Sequence, residues 1–197
     1  MAKKLSEMTL EELWQLFPII LTAHRDEWVA WYNEEAARLG ELLPADARIS
    51  HVGSTAVEGI WAKPIIDILV EVPERCPLEA VGALLTEHGW TCMSAGDRRM
   101  SFNLGYTEQG FAERVFHLHL RYAGDHDELY FRDYLREHPE AAEEYERLKL
   151  SLWKRFEHDR DGYTAAKGTL VARYTAEARR LDGDRHEASM AGQEAGQ

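Results

Sequence analysis

Apolar residues recur at helical spacing over most of the span from Thr9 to Leu43, broken at Pro18 and the run Ile19-Ile20-Leu21, which predicts a short strand or an extended connector between two helices. In the second helix, Asp26 to Leu43, the residues Trp28, Trp31, Tyr32, Ala36, Leu39 and Leu43 form one face, with Glu34, Glu35 and Arg38 on the other, and Pro44 closes it. From Arg48 to Tyr122 the texture changes to short β-rich runs separated by glycine-containing turns. These predict strands at Ile49 to Val52, Ile65 to Val72, Trp90 to Met93, Met100 to Leu104 and Val115 to Tyr122, with one helix, Leu78 to His88, among them. Helical spacing returns at Asp127 to Glu137, Pro139 to Phe156 and Tyr163 to Leu181, and Pro139 suits a first helical turn. The polar stretch Asp182 to Gln197 shows no period and is expected to be frayed or disordered.

The order helix, α/β segment, helices predicts an α/β (α+β) chain with a mixed sheet flanked by helices. It divides into an N-terminal helical segment (1–47), an α/β core (48–124), a C-terminal helical part (125–181) and a tail (182–197). At 45% hydrophobic and 29% charged residues the chain has material for a core, and its formal charge of −12 argues against a broad basic footprint on duplex nucleic acid or an anionic membrane. A local basic pocket survives that argument, so the partner expected is a small or locally captured molecule. Cys76 and Cys92 are too few for a disulfide framework and lack the spaced partners of a zinc site. No run approaches the ~18 apolar residues of a membrane span, and no leader pattern follows Lys3 and Lys4. A cytoplasmic location is therefore expected.

The segment from His51 to Glu71 carries the most chemistry. A strand ends at Gly53, where the missing side chain lets backbone N–H groups approach a phosphate, and Ser54 and Thr55 add hydroxyl donors. A Gly-Ser pair alone is most often only a turn. Here Lys63 follows, and then a strand whose alternation places Ile65, Asp67, Leu69 and Glu71 on one face. A carboxylate in an apolar strand is costly to bury unpaired, so Asp67 should meet a cation, a metal or a cavity. In the later strand, His117, His119 and Arg121 share a face opposite Phe116, Leu118 and Leu120. Two such imidazoles can bind one metal, hold a phosphate, or simply face water.

These segments, with Phe131-Arg132-Asp133-Tyr134-Leu135-Arg136-Glu137-His138-Pro139, Tyr145-Glu146-Arg147-Leu148-Lys149 and Tyr163-Thr164-Ala165-Ala166-Lys167, closely resemble the GrpB family over about Trp28 to Ala178. One departure is Glu58, where the family usually has proline in a Val-Pro-Gly turn. The resemblance implies a nucleotidyltransferase-like fold related to DNA polymerase beta, with a helical C-terminal part, and a domain also found fused to dephospho-CoA kinase. It places Gly53 and Ser54 on the superfamily's Gly-Ser turn and Asp67 on the second acidic position of the following strand. Ile65 then stands at the first acidic position, and His117 and His119 stand where a third carboxylate would be. Paired magnesium ions need more acid than that, whereas imidazole suits zinc or manganese. Glu71 could substitute only if the site moved by about 13 Å along the strand.

The resemblance thus implies an enzyme transferring a nucleotidyl or phosphoryl group to a small acceptor. Asp67, His117 and His119 would be its catalytic or metal-holding residues, for magnesium, manganese or zinc. Gly53, Ser54, Thr55, Lys63, Arg99, Arg121 and Arg132 would meet the phosphates of a nucleoside triphosphate. The alternative is a binding or regulatory module for a nucleotide or coenzyme A precursor without turnover, which the missing acid favours. For several cations the residues leave two roles open: Arg132 and Arg136, one helical turn apart, can reach an anion or tie their helix to the sheet, and Lys149, Lys167, Arg98 and Arg99 share that ambiguity.

Overall fold

The computed structural model describes residues 3–183, 185 and 186. Helix α1, Leu10–Leu16, starts at a reciprocal cap in which Thr9 Oγ1 accepts from Glu12 N and Glu12 accepts from Thr9 N. The chain then runs extended: Ile19 and Leu21 are buried against Tyr163, and Thr22 pairs with Ala62. Helix α2, Glu27–Leu42, follows. The α/β part comprises β1 (Arg48–Val52), a 3-10 turn at Ser54–Ala56, β2 (Ile66–Val72), α3 (Leu78–Glu87), β3 (Thr91–Ala95), β4 (Arg99–Thr107) and β5 (Gly110–Tyr122). Three helices complete it: α4 (Asp127–Glu137), α5 (Pro139–Trp153) and α6 (Arg160–Asp182).

The five strands form one mixed sheet in the order β1-β2-β5-β4-β3, with β2 and β5 parallel and every other pair antiparallel. Parallel neighbours need covered faces, and alternation supplies them. Ile66, Ile68, Val70 and Val72 of β2 and Phe116, Leu118 and Leu120 of β5 face one way, into a core closed by Trp28, Leu39, Leu78, Val81 and Leu85 of α2 and α3. On the opposite face Leu69 packs with Val52 and with Leu129 of α4. Helices α4, α5 and α6 form their own bundle around Leu135, Ala142, Tyr145 and Tyr174, joined to the sheet through Val57 and Ile60 just after the 3-10 turn. One end of that face, over β4 and β5, is left for α1 to cover. Among the described residues no helix is long and apolar enough to cross a membrane.

Four sequence expectations change. Glu35, expected on the polar face of α2, is 5% exposed, because it lies seven residues after Trp28 and four before Leu39 on the same stripe; burial raises its pKa while Arg38, at 3.0 Å, opposes the shift. The strands expected to stop at Leu104 and start at Val115 instead form one long hairpin. A bulge at Gly105 carries the pairing on, with φ at +89° and no room for a Cβ, which would lie 2.3 Å from the Arg114 carbonyl oxygen. Helix α6 begins at Arg160 rather than Tyr163. Of the tail expected to be disordered, Asp182 ends α6 and His186 is buried, whereas 184 and 187–197 lie outside the described residues.

Candidate functional site

Gly53 leaves β1 with φ at +72°, a conformation that favours glycine, and it is tight as well as turned: a Cβ there would lie 2.2 Å from Asp67 Oδ2. The backbone of the turn and the carboxylate of β2 therefore stand in contact, as the pairing of Val52 with Asp67 requires. Within the turn, Ala56 N and Val57 N donate back to Gly53 O and Ser54 O. The Ser54 and Thr55 N–H groups have no backbone acceptor outside the regular elements among the described residues. Helix α4 pins the turn from behind. Arg132 donates to His51 O and Arg136 to Ala56 O, both at 2.9 Å, so the arginines one helical turn apart hold the two sides of the loop.

The parallel register sets His117 directly opposite Asp67. Its Nδ1 is 3.2 Å from Asp67 Oδ1, and His119 Nε2 stands 3.8 Å from the same oxygen. The other side of His117 is also engaged: Nε2 lies 2.9 Å from Arg160 Nη2 and 2.8 Å from the Tyr106 hydroxyl. A guanidinium only donates, so Nε2 accepts and the imidazole proton sits on Nδ1, donated to Asp67. Burial pushes His117 below its ordinary pKa, and although Asp67 opposes this, Arg160 and Lys63 push further down. Burial would raise the Asp67 carboxyl, but donation from the imidazoles outweighs it and holds the group well below the usual carboxylate range. Neutral pH thus finds an ionised Asp67 beside a neutral His117.

Around this pair stand cations without acids. Arg160, Lys63 and Lys167 make no ion pair with a carboxylate among the described residues, although nearly every other arginine in this acidic chain does. Lys63 and Lys167 share the ring of Tyr163, with Nζ at 5.7 Å and 4.4 Å from its centroid. Lys63 is pushed down to about 7 by burial and by the neighbouring Lys167 and Arg160, only partly offset by Asp67. Lys149, also lowered to about 7 by burial, is 2% exposed and donates to Trp61 O, so it is committed to the fold. Below the imidazoles opens a cavity of about 530 Å³ lined by His117, His119, Tyr106, Arg160, Ser101 and the apolar side of α1.

Of the residues singled out in the sequence, the structure brings together Gly53, Ser54, Asp67, His117 and His119, with Lys63 within electrostatic reach. Four others are placed elsewhere. The Thr55 hydroxyl donates to Ile65 O and accepts from His51 Nε2 at 3.0 Å, inside the turn. Arg99 forms a two-pronged pair with Asp125 at 2.6 and 2.7 Å, and Arg121 pairs with Glu128 at 3.1 Å. These two lie farther along the same strand face, and their charges are neutralised there. Arg132 holds the turn and Asp133. Two residues that complete the site were missed, Tyr106 and Arg160. The signal for Arg160 was Asp159, whose carboxylate caps α6 by accepting from Gly162 N at 2.8 Å, a helix start three residues ahead of the expected one.

The donor set fits a magnesium pair poorly. Ile65, at the first acidic position, is buried apolar surface, and Glu71 is locked away with His126 at 2.7 Å and Gly124 N at 3.2 Å. Both nitrogens of His117 are occupied. Among the described residues no group of three or more His, Cys, Asp or Glu is arranged to hold a metal ion. A single carboxylate, with Arg160 and Lys63 close by, offers too little acid for two divalent cations.

A mixed sheet flanked by helices, with a Gly-Ser turn and an Asp–His pair beside cations that have no ion-paired carboxylate among the described residues, defines an α/β protein. The chain belongs to the GrpB family, described as GrpB protein, whose model matches residues 18–177. It is 39% identical over 152 residues to a UPF0157 protein of Pseudomonas aeruginosa, covering 73% of this chain and 60% of that protein; it spans 55% of a second relative, YqkA of Bacillus subtilis. It is similar to the crystal structure of the conserved protein GrpB from Enterococcus faecalis, with a TM-score of 0.70, 30% identity, and coverage of 82% of this chain and 98% of that one. A looser likeness is to the Cid1 poly(U) polymerase with MgGTP bound, at TM-score 0.48 and 12% identity over 65% of this chain and 42% of that one. At that distance it is a likeness of fold alone.

Proposed function

We propose that this chain binds a phosphorylated small molecule of the nucleotide class in the cleft between the Gly53 turn, the Asp67–His117 pair and α6, through Arg160, Lys63 and Lys167. One observation carries the reading: in a chain of net charge −12, Arg160 and Lys63 stand beside an Asp–His pair, with Lys167 next to Lys63, and none of the three has an ion-paired carboxylate among the described residues. Like charges gathered this way raise the energy of the empty site, and an anion with several oxygens relieves it. Arg160 is the member open to an anion. Its present partner is a neutral imidazole, so a phosphate competes well for it, and the Tyr106 hydroxyl at 2.8 Å can donate to His117 Nε2 in its place.

The test is calorimetric titration of tripolyphosphate, adenosine triphosphate and dephospho-coenzyme A in buffer containing a chelator. Binding without metal is expected, and Arg160→Ala should weaken it by about tenfold to a hundredfold, the worth of one charge-assisted hydrogen bond. Absence of heat with all three would overturn the reading. Binding only with magnesium or manganese, with pyrophosphate released and Asp67→Asn abolishing the release, would replace it with nucleotidyl transfer.

A further inference from the structure

Helix α1 carries an apolar stripe that the fold buries fully only at its C-terminal end, at Phe17. Leu10, Leu13, Trp14 and Phe17 fall at i, i+3, i+4 and i+7, one face of a helix, yet no residue of α1 itself is buried, and Leu10 is 53% exposed. A seven-residue helix has little stability of its own. This one is tethered at two points: Phe17 packs on Tyr106 and Phe111 at 4.7 and 5.1 Å, and the Trp14 carbonyl accepts from His158 at 3.2 Å. Between these tethers its stripe faces the 530 Å³ cavity instead of a core. Across the opening stands Met93 of β3, 56% exposed, a second apolar side chain directed at the same space. The floor differs in chemistry: His119, Ser101 and Arg160 carry polar hydrogens beside His117, and the acid facing them from α6 is Asp161 at the margin.

An apolar chamber of this size with polar groups gathered at one end is the form of a small-molecule site. We infer that the cavity receives the apolar body of a small amphipathic anion, a molecule with a flat ring or hydrocarbon part under α1 and a phosphate, sulfonate or carboxylate at Arg160 and His119. The inference rests on the proposed anion role of Arg160 and adds the half of the ligand that the cation cluster cannot specify. A polyphosphate alone would leave the stripe of α1 and Met93 in water, whereas a ligand with an apolar body covers both and completes the packing of the helix.

The probe is 1-anilinonaphthalene-8-sulfonate, read by fluorescence and calorimetry against the full chain, with the neutral N-phenyl-1-naphthylamine beside it. One equivalent of the sulfonate is expected to bind, about tenfold more tightly than the neutral dye. Leu13→Asp should weaken it by about tenfold or more, because a carboxylate in an apolar wall opposes both the rings and the sulfonate. Met93→Asp tests the same wall from an exposed edge strand, where folding is not at stake, and should weaken it in the same sense. Both variants should weaken tripolyphosphate binding less than sulfonate binding, since only the added charge, and not the lost apolar wall, bears on a ligand without rings. Failure of the sulfonate to bind, or binding that Met93→Asp leaves unchanged, overturns the inference even where tripolyphosphate still binds. Sulfonate binding that is lost in Met93→Asp, without any tripolyphosphate binding, supports this cavity and overturns the broader nucleotide reading. Equal binding of the two dyes overturns the anionic half of the inference.

Discussion

Gly53 and Asp67 constrain each other, and the constraint is measurable. Gly53→Ala would place a methyl group 2.2 Å from Asp67 Oδ2 at a φ of +72°, so either the turn or the carboxylate must move. A loss of about 2 kcal/mol or more in urea unfolding is expected, since backbone strain and a steric clash add. The double variant Gly53→Ala/Asp67→Ala should recover part of it by removing the clash and leaving the strain; no recovery would contradict the contact. His51 gives a pH signature. Burial lowers it to about 4, against 6.5 unperturbed, so between those values the unfolded chain holds the extra proton. Stability should therefore fall as pH drops from 6.5 toward 4, by up to about 3 kcal/mol from this group. A His51→Gln variant should lack that portion of the slope; an unchanged slope would refute the assignment. The roles of His51 and Thr55 were not legible from their order in the chain, because the hydroxyl that looked like a phosphate donor is consumed by a histidine four residues earlier.

Whole elements were legible where one physical pattern governed them. Alternation in Ile66–Val72 and Val115 to Tyr122 placed Asp67, His117 and His119 on one sheet face, and the parallel pairing of β2 with β5 then made them neighbours. What alternation could not reveal was the continuation of the β4–β5 hairpin through the Gly105 bulge, so Tyr106 went unnoticed beside His117. The start of α6 was missed for a different reason. Its N-terminus is set by a side-chain cap at Asp159, ahead of the first apolar residue in the helical repeat. That cap places Arg160. Asp159→Ala should cost about 1 kcal/mol of stability and should also weaken anion binding, though Asp159 touches no ligand in the proposed cleft. Calorimetry combined with thermal unfolding separates the two effects. A variant that loses stability but binds tripolyphosphate as the wild type does would contradict the dependence of Arg160 on its helix cap.

At the scale of the molecule, the net charge of −12 directed attention away from nucleic acid and membranes, and the local exception inside that charge is what the structure adds. Sequence showed the lysines but not their convergence, since Lys63 comes from the connection into β2 and Lys167 from α6, more than a hundred residues later. Their titration has a definite sign. Lys63 and Lys149 are lowered to about 7 from 10.5 by burial, so between those pH values the unfolded chain holds more protons and stability should rise with pH; below 7 the cost of the buried charges is fully present. A bound phosphate reverses the shift at Lys63, so binding at pH 8 should take up protons. Titrations in two buffers of different ionisation enthalpy check this, and identical heats in both would contradict a titrating lysine at the ligand. The most direct measurement is a crystal structure of the chain with a non-hydrolysable nucleoside triphosphate, grown with a chelator present. The account predicts phosphate oxygens within hydrogen-bonding distance of Arg160 and of Lys63 or Lys167, beside the Gly53 turn; phosphates bound outside this cleft, or no bound nucleotide at saturating concentration, would contradict it.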